Sequence, residues 1–464
     1  MPLLAQREAV TQPHAVIRRF LLIGILLFSA LACDDDVAQF VFEARIVDGE
    51  NGNPAAETDA TTLGIEIQEG DGPVRTFEYP VTDGSFDATL ELTTVSLPTR
   101  VRVVIEGPTT ELLTAPPAFV AAASGGFLRM VAAEPSSCEL VTFDSMEGPR
   151  AYFGMVPSGT FALIAGGIAA SEGDQVEFFD ALQWESRPFA EDLVLSELGE
   201  TRAASIDEGE ILVLSADAVP FVFDMLDPRD PKPVVLHTGA GPRSALVSVP
   251  GAGAMVIGGE IGGEAQSGIS LVAPGGTVTS LQLSVPRSGP SAVALGSDVL
   301  IVGGNAEGNA ELLRESSTEG QPIASVADGV REGGLLVGDG QSRALWMGGE
   351  GSGGALREDT VRFDGCPSDC VSSAGPSWTT ARTGALQLAQ SALVIGGEGS
   401  QLVEEVRWSG GDVEIRTLAE LNVPRAGAGG ILFESGIFVV AGGDDGTSTR
   451  DDMELCVPGE LSPL

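Results

Sequence analysis

The sequence predicts an all-β protein: a seven-bladed β-propeller preceded by a small antiparallel β-sandwich. Two observations carry that reading. A short apolar run ending in a glycine pair returns six times, closing at Gly166-Gly167, Gly258-Gly259, Gly303-Gly304, Gly348-Gly349, Gly396-Gly397 and Gly442-Gly443. A degraded seventh copy at 211–216 keeps the apolar run and lacks the glycines. With Ser215 standing in for its first glycine, successive steps are 49, 43, 45, 45, 48 and 46 residues. One supersecondary unit repeated at a period of about 45–50 residues reads as propeller blades. The second observation is an arginine ahead of each copy by about a strand, a turn and a strand: Arg150, Arg202, Arg243, Arg287, Arg331, Arg382 and Arg425.

Within each unit the apolar run reads as an inner strand. The glycine pair lets the chain turn beside its neighbours, because a residue without Cβ accepts positive φ and close backbone approach. Four of the arginines follow a proline, as in Pro286-Arg287-Ser288-Gly289. Later landmarks are Val176-Glu177-Phe178-Phe179-Asp180 with Trp184, Val361-Arg362-Phe363-Asp364 with Trp378, and Glu405-Val406-Arg407-Trp408. On these residues the chain, from about Ser136 onward, resembles the kelch-repeat family. That resemblance implies a propeller and leaves function open, since kelch propellers host binding proteins and enzymes alike.

The chain begins with a targeting pattern. Arg18-Arg19 precede an apolar run of thirteen residues, 20–32, too short to span a bilayer and right for a signal peptide. The end of that run, Ser29-Ala30-Leu31-Ala32-Cys33, resembles the lipobox of bacterial lipoproteins, with Ala30 where leucine is commonest. The resemblance implies that Cys33 is lipidated and becomes the new N-terminus, anchoring an exported protein to the cell envelope, with the outer membrane or cell surface favoured. The expected organisation is a signal peptide at 1–32, an acidic tether at 33–37, a sandwich at 38–134 and the propeller at 135–464. Alternating strands such as 40–47 and 100–105 and the turn at Asp83-Gly84 place the sandwich, which resembles the transthyretin-like or carboxypeptidase-regulatory spacer.

With Cys33 set aside, Cys138, Cys366, Cys370 and Cys456 remain, an even number suited to an oxidising compartment. Of three possible pairings, Cys366–Cys370 and Cys138–Cys456 are favoured. After the last glycine pair only one strand remains, at 452–457, so the seventh blade lacks its outer strand. The stretch 137–143 can supply it, which sets Cys138 beside Cys456. The cysteine spacing does not suit zinc.

Charge and composition narrow the function. A formal net charge of −41, from 66 acids against 25 bases, argues against nucleic acid and against a polybasic membrane patch. Most of that acidity reads as a solvated surface. Past the signal region stand one histidine, His237, and two tyrosines, Tyr79 and Tyr152. These cannot supply the ligand set of the kelch copper oxidases or a multi-histidine zinc site, and no Gly-x-Ser-x-Gly elbow precedes His237. No cofactor is expected. Asp444, Asp445, Asp451 and Asp452 around a Gly-Thr-Ser-Thr turn form a weak calcium candidate that does not match the EF-hand loop.

Seven equivalent arginines on a closed ring either converge on one mouth, as an anion trap for carboxylate or sulfate groups, or clamp neighbouring strands. The acids Glu260, Glu350, Glu398 and Asp444, each directly after a glycine pair, are the expected clamp partners. The function expected is a non-enzymatic, monomeric envelope lipoprotein whose propeller binds a glycan or a protein partner. The alternatives are a polysaccharide-active enzyme using carboxylates and a scaffold of an envelope complex.

Overall fold

Strand follows strand along almost the whole chain. The computed structural model describes residues 38–459 apart from short interruptions, the longest being 47–58, 82–88, 116–126, 169–175, 189–197 and 237–242. The expectations for the signal peptide, Cys33, the tether and His237 lie outside the described residues. Among the described residues there is no α-helix, and no helix long and apolar enough to cross a membrane.

Seven antiparallel sheets of four or five strands, with a two-stranded pair formed by Arg331–Glu332 and Glu350–Gly351, occupy the described part of residues 154–457. Each of the seven is built on the repeated apolar run, which ends in a glycine pair in all but sheet 2. Sheet 1 is centred on Phe161–Ala165, sheet 2 on Glu210–Ser215, sheet 3 on Gly253–Ile257 and sheet 4 on Asp298–Val302. Sheet 5 is centred on Ala344–Met347, sheet 6 on Leu393–Ile395 and sheet 7 on Phe438–Ala441. These strands are buried at nearly every position, so both faces are covered by neighbouring sheets. That is why the sequence shows continuous apolar runs there and not alternation. The core is correspondingly divided into clusters between adjacent sheets. One joins Val293, Leu300 and Leu312 of sheet 4 to Leu336, Trp346 and Phe363 of sheet 5.

The last sheet is completed from far upstream, as expected. Met453–Val457 pairs with Ser137–Val141, in the register Cys456↔Cys138. Both expected disulfides are present, Cys138–Cys456 and Cys366–Cys370. The first closes a span of 318 residues.

The N-terminal region differs from the two-sheet antiparallel sandwich expected. Its strands form one continuous seven-stranded order that runs through Phe127–Ala133. Residues 127–130 of that strand pair in parallel with Ala38–Ile46, and residues 131–133 pair antiparallel with Glu111–Ala115. One strand thus serves both halves, as strands do at the corner of a folded sheet. The sequence pattern does not reveal this, because alternation assigns faces and not partners.

Candidate functional site

The seven arginines turn out not to be equivalent. Five of them, Arg150, Arg287, Arg331, Arg382 and Arg425, are buried with essentially no exposed surface. Each leads into its sheet and reaches across it to a carboxylate. Arg150 meets Glu177, and Arg382 meets Glu404. Arg287 meets Glu311 at 2.8 Å, and Arg331 meets Asp359 at 3.0 Å. Arg425 meets both Glu454 and Asp452 at 2.8 Å.

A second contact ties the arginine to the glycine pair. The guanidinium groups of Arg150, Arg287, Arg331 and Arg425 donate to the carbonyls of Gly166, Gly303, Gly348 and Gly442. The second glycine of a pair then donates its N–H to the next sheet's arginine carbonyl: Gly259 to Arg287, Gly304 to Arg331, Gly397 to Arg425. Gly443 of sheet 7 donates to Arg150 of sheet 1 at 2.9 Å. Arginine and glycine pair recur together because each satisfies the other. These five arginines therefore take the clamp arrangement, since a buried, ion-paired guanidinium is out of reach of a ligand at a mouth.

The carboxylate partners are not the acids expected. Among the described residues, of Glu260, Glu350, Glu398 and Asp444 only Glu260 lies within ion-pair range of an arginine, Arg243. The partners come instead from the strand after the glycine pair, which places Glu177, Glu311, Glu404 and Glu454 opposite the strand before it. These stand 8 to 12 residues past the first glycine, a recurrence readable in the sequence once it is looked for. In sheet 5 the equivalent residue is Val361, and Asp359 carries the charge while Trp346 stacks on Arg331 at 4.3 Å.

Arg202 and Arg243 hold other positions. Two residues beyond the buried arginines, linkers of neighbouring sheets are bonded to one another. Gly289 donates to Arg243, Gly333 to Gly289, Gly427 to Gly384, Tyr152 to Gly427, and Thr201 to Tyr152. Arg243 therefore stands where Gly289 stands in sheet 4, and Arg202 lies one residue past Thr201. In sheet 2 the clamp position is Gly199, whose carbonyl receives Gly167 N–H. Where the buried arginine is absent, its glutamate is absent too: Phe221 and Ser270 take the place of Glu311 in sheets 2 and 3. A carboxylate left alone in that interior would be costly, so the two charges come and go as a pair.

This linker level carries the exposed polar groups. Tyr152 and Arg243 adopt φ of 55° and 68° where sheets 4 to 7 have glycine. Such strain costs about 1–3 kcal/mol and collects at functional positions. Tyr152 lies over Gly427 and reaches toward Gly384, where an added Cβ would meet the tyrosine at 2.7 and 3.2 Å. Arg243 passes over Gly289 to Glu332 of sheet 5 and lies 3.5 Å from Glu260. Arg202 lies 3.8 Å from Glu200. Burial, then Glu398, Asp444 and Glu200, push the Tyr152 phenol above its ordinary range. Five carboxylates and two guanidinium groups thus gather with one exposed tyrosine.

The acids of the weak calcium candidate are engaged within the protein. Asp445 accepts from the backbone of Thr447 and Ser448 and from Arg450, and Asp452 is held by Arg450 and Arg425. Arg450 occupies the space between these carboxylates that a cation would need. Among the described residues, no group of three or more potential metal ligands is assembled.

No family model matches the chain, and no curated protein matches it. Among solved structures, one described as "Structure of YjhT" is similar at 11% identity, with a TM-score of 0.42, over 68% of this chain and 98% of that one.

Proposed function

We propose that this chain is a non-enzymatic, lipid-anchored envelope protein whose seven sheets are the blades of a kelch-type propeller serving as a binding module. The observation that carries the reading is the linker level just described. Its hydrogen bonds run from sheet to sheet and link sheet 7 back to sheet 1 through Gly443–Arg150 and Tyr152–Gly427. Closure of that kind supports a circle of blades, and the circle leaves a mouth at the glycine-pair end. There Tyr152, Arg243, Glu200, Glu260, Glu332, Glu398 and Asp444 stand partly or fully exposed on short, bonded linkers. The buried arginines serve the scaffold, and the exposed residues are left to meet a glycan or a protein. The Ala32-Cys33 motif supports export and lipidation.

Two measurements test this. Full-length chain expressed in a bacterial host should incorporate labelled palmitate, and Cys33→Ser should not; an unlabelled wild type overturns the anchor. Glycan and peptide arrays probed with the full chain should return ligands whose binding falls in Tyr152→Gly or Arg243→Gly. Binding indifferent to both overturns the mouth as the binding face.

A further inference from the structure

The mouth has a sign and a texture, and together they specify a ligand class. Arg243 is engaged by Glu260 and Glu332, and Arg202 by Glu200. Glu398 and Asp444 keep no basic partner among the described residues: Glu398 accepts from the Thr383 hydroxyl at 3.2 Å, and Asp444 from the Gly446 N–H at 2.7 Å. Tyr152, 37% exposed, lies against Gly384 and Gly427, whose chain neighbours Thr383 and Ala426 are hydrogen-bonded to Glu398 and Asp444. The carboxylates at this level outnumber the two guanidinium groups, both of which are already engaged, so the mouth carries net negative charge.

Apolar side chains stand exposed at the same end. Ile168 pairs through its backbone with Ala151, beside Tyr152. Ile261 follows Glu260, and Leu356 is bridged to Glu350, which pairs with Glu332. Ile168, Ile261 and Leu356 are each at least 39% exposed. An anionic polysaccharide would be repelled here, and a neutral glycan would leave the charge unanswered.

We infer that the mouth binds a cationic, partly apolar peptide segment of a partner protein, a lysine or arginine head group resting on Tyr152 between Glu398 and Asp444. An ammonium or guanidinium over an aromatic face gains from the ring quadrupole, and the flanking carboxylates supply the charge complement. Ile168, Ile261 and Leu356 meet the apolar side chains that flank that cation. The inference rests on the mouth being the binding face.

The test uses purified full-length chain in detergent and three fluorescent probes: an alternating Lys-Leu octapeptide, its Glu-Leu counterpart and a neutral oligosaccharide. The Lys-Leu peptide should bind, weaken with added salt, and lose about fivefold or more in affinity in Glu398→Gln/Asp444→Asn and in Tyr152→Gly. Tyr152→Gly installs the residue that sheets 4 to 7 carry there, so an unchanged melting temperature separates lost binding from lost fold. Lys-Leu affinity unchanged in the double carboxylate variant overturns the cationic ligand. If the oligosaccharide alone binds, and Tyr152→Gly abolishes it, the cationic ligand falls while the mouth stands. If no probe responds to Tyr152→Gly, both fall.

Discussion

Arg287 shows how one residue type can look like a site and be a strut. Its guanidinium makes bonds to Glu311, Gly303 and Asn309, so every direction in which a ligand could approach is taken. Arg287→Met should lower unfolding free energy by about 3–5 kcal/mol, because it strands Glu311 in the interior. Arg287→Met with Glu311→Met should cost less than the two single changes added together, as chemical denaturation will read in a double-mutant cycle. Asp452 gives a pH signature. Burial pushes its carboxyl up, but Arg450 and Arg425 outweigh that and hold it below its ordinary 3.8. A depressed folded-state value contributes stability above the unfolded carboxylate range and loses it as pH falls through the folded value. The destabilisation of Arg450→Gln relative to wild type, measured by urea midpoints, should therefore shrink between pH 6 and pH 3.

At the scale of the element, the glycine pair is explained by its neighbour sheet as much as by its own turn. Gly303 has φ of 76°, and a Cβ there would lie 2.7 Å from the Arg331 carbonyl. Gly296, at φ 66°, has nothing within 4 Å of such an atom. Gly296→Ala should cost about 1 kcal/mol of backbone strain alone, and Gly303→Ala distinctly more, as thermal melts will rank them. The opposite change at the linker level should help: Arg243→Gly relieves a left-handed arginine and should raise the melting temperature if strain exceeds its ion pairs. A melting temperature lowered by several degrees would mean that the bonds to Glu332 and Glu260 dominate. These elements were legible in the sequence to different depths. The six glycine pairs and five of the arginines were visible as a period. Their carboxylate partners do not adjoin the glycines but stand on the facing strand, which pairing alone brings to the arginine.

For the whole molecule, the decisive link is between the two ends of the repeat region. Cys138 and Cys456 sit opposite each other on paired strands, across 318 residues of chain. In the loop-entropy model so long a crosslink contributes about 6 kcal/mol, and one four residues apart contributes less than half of that. The pair Cys138→Ser/Cys456→Ser should thus lower the denaturation midpoint far more than Cys366→Ser/Cys370→Ser.

By itself the sequence determined the all-β class, the sevenfold period, both disulfides and the borrowing of Ser137–Val141 by the last sheet. Each of these follows from local spacing, cysteine parity or a strand count, quantities that need no coordinates. Only the tertiary structure decided which arginines are buried, which glutamates meet them, and that Arg243 and Tyr152 replace linker glycines. It also decided that one strand, Phe127–Ala133, serves both halves of the N-terminal sheet. Partner choice depends on register across neighbouring strands and sheets, and a shift of two residues, invisible in a pattern of period 45, moves an arginine from the core to the exposed linker level.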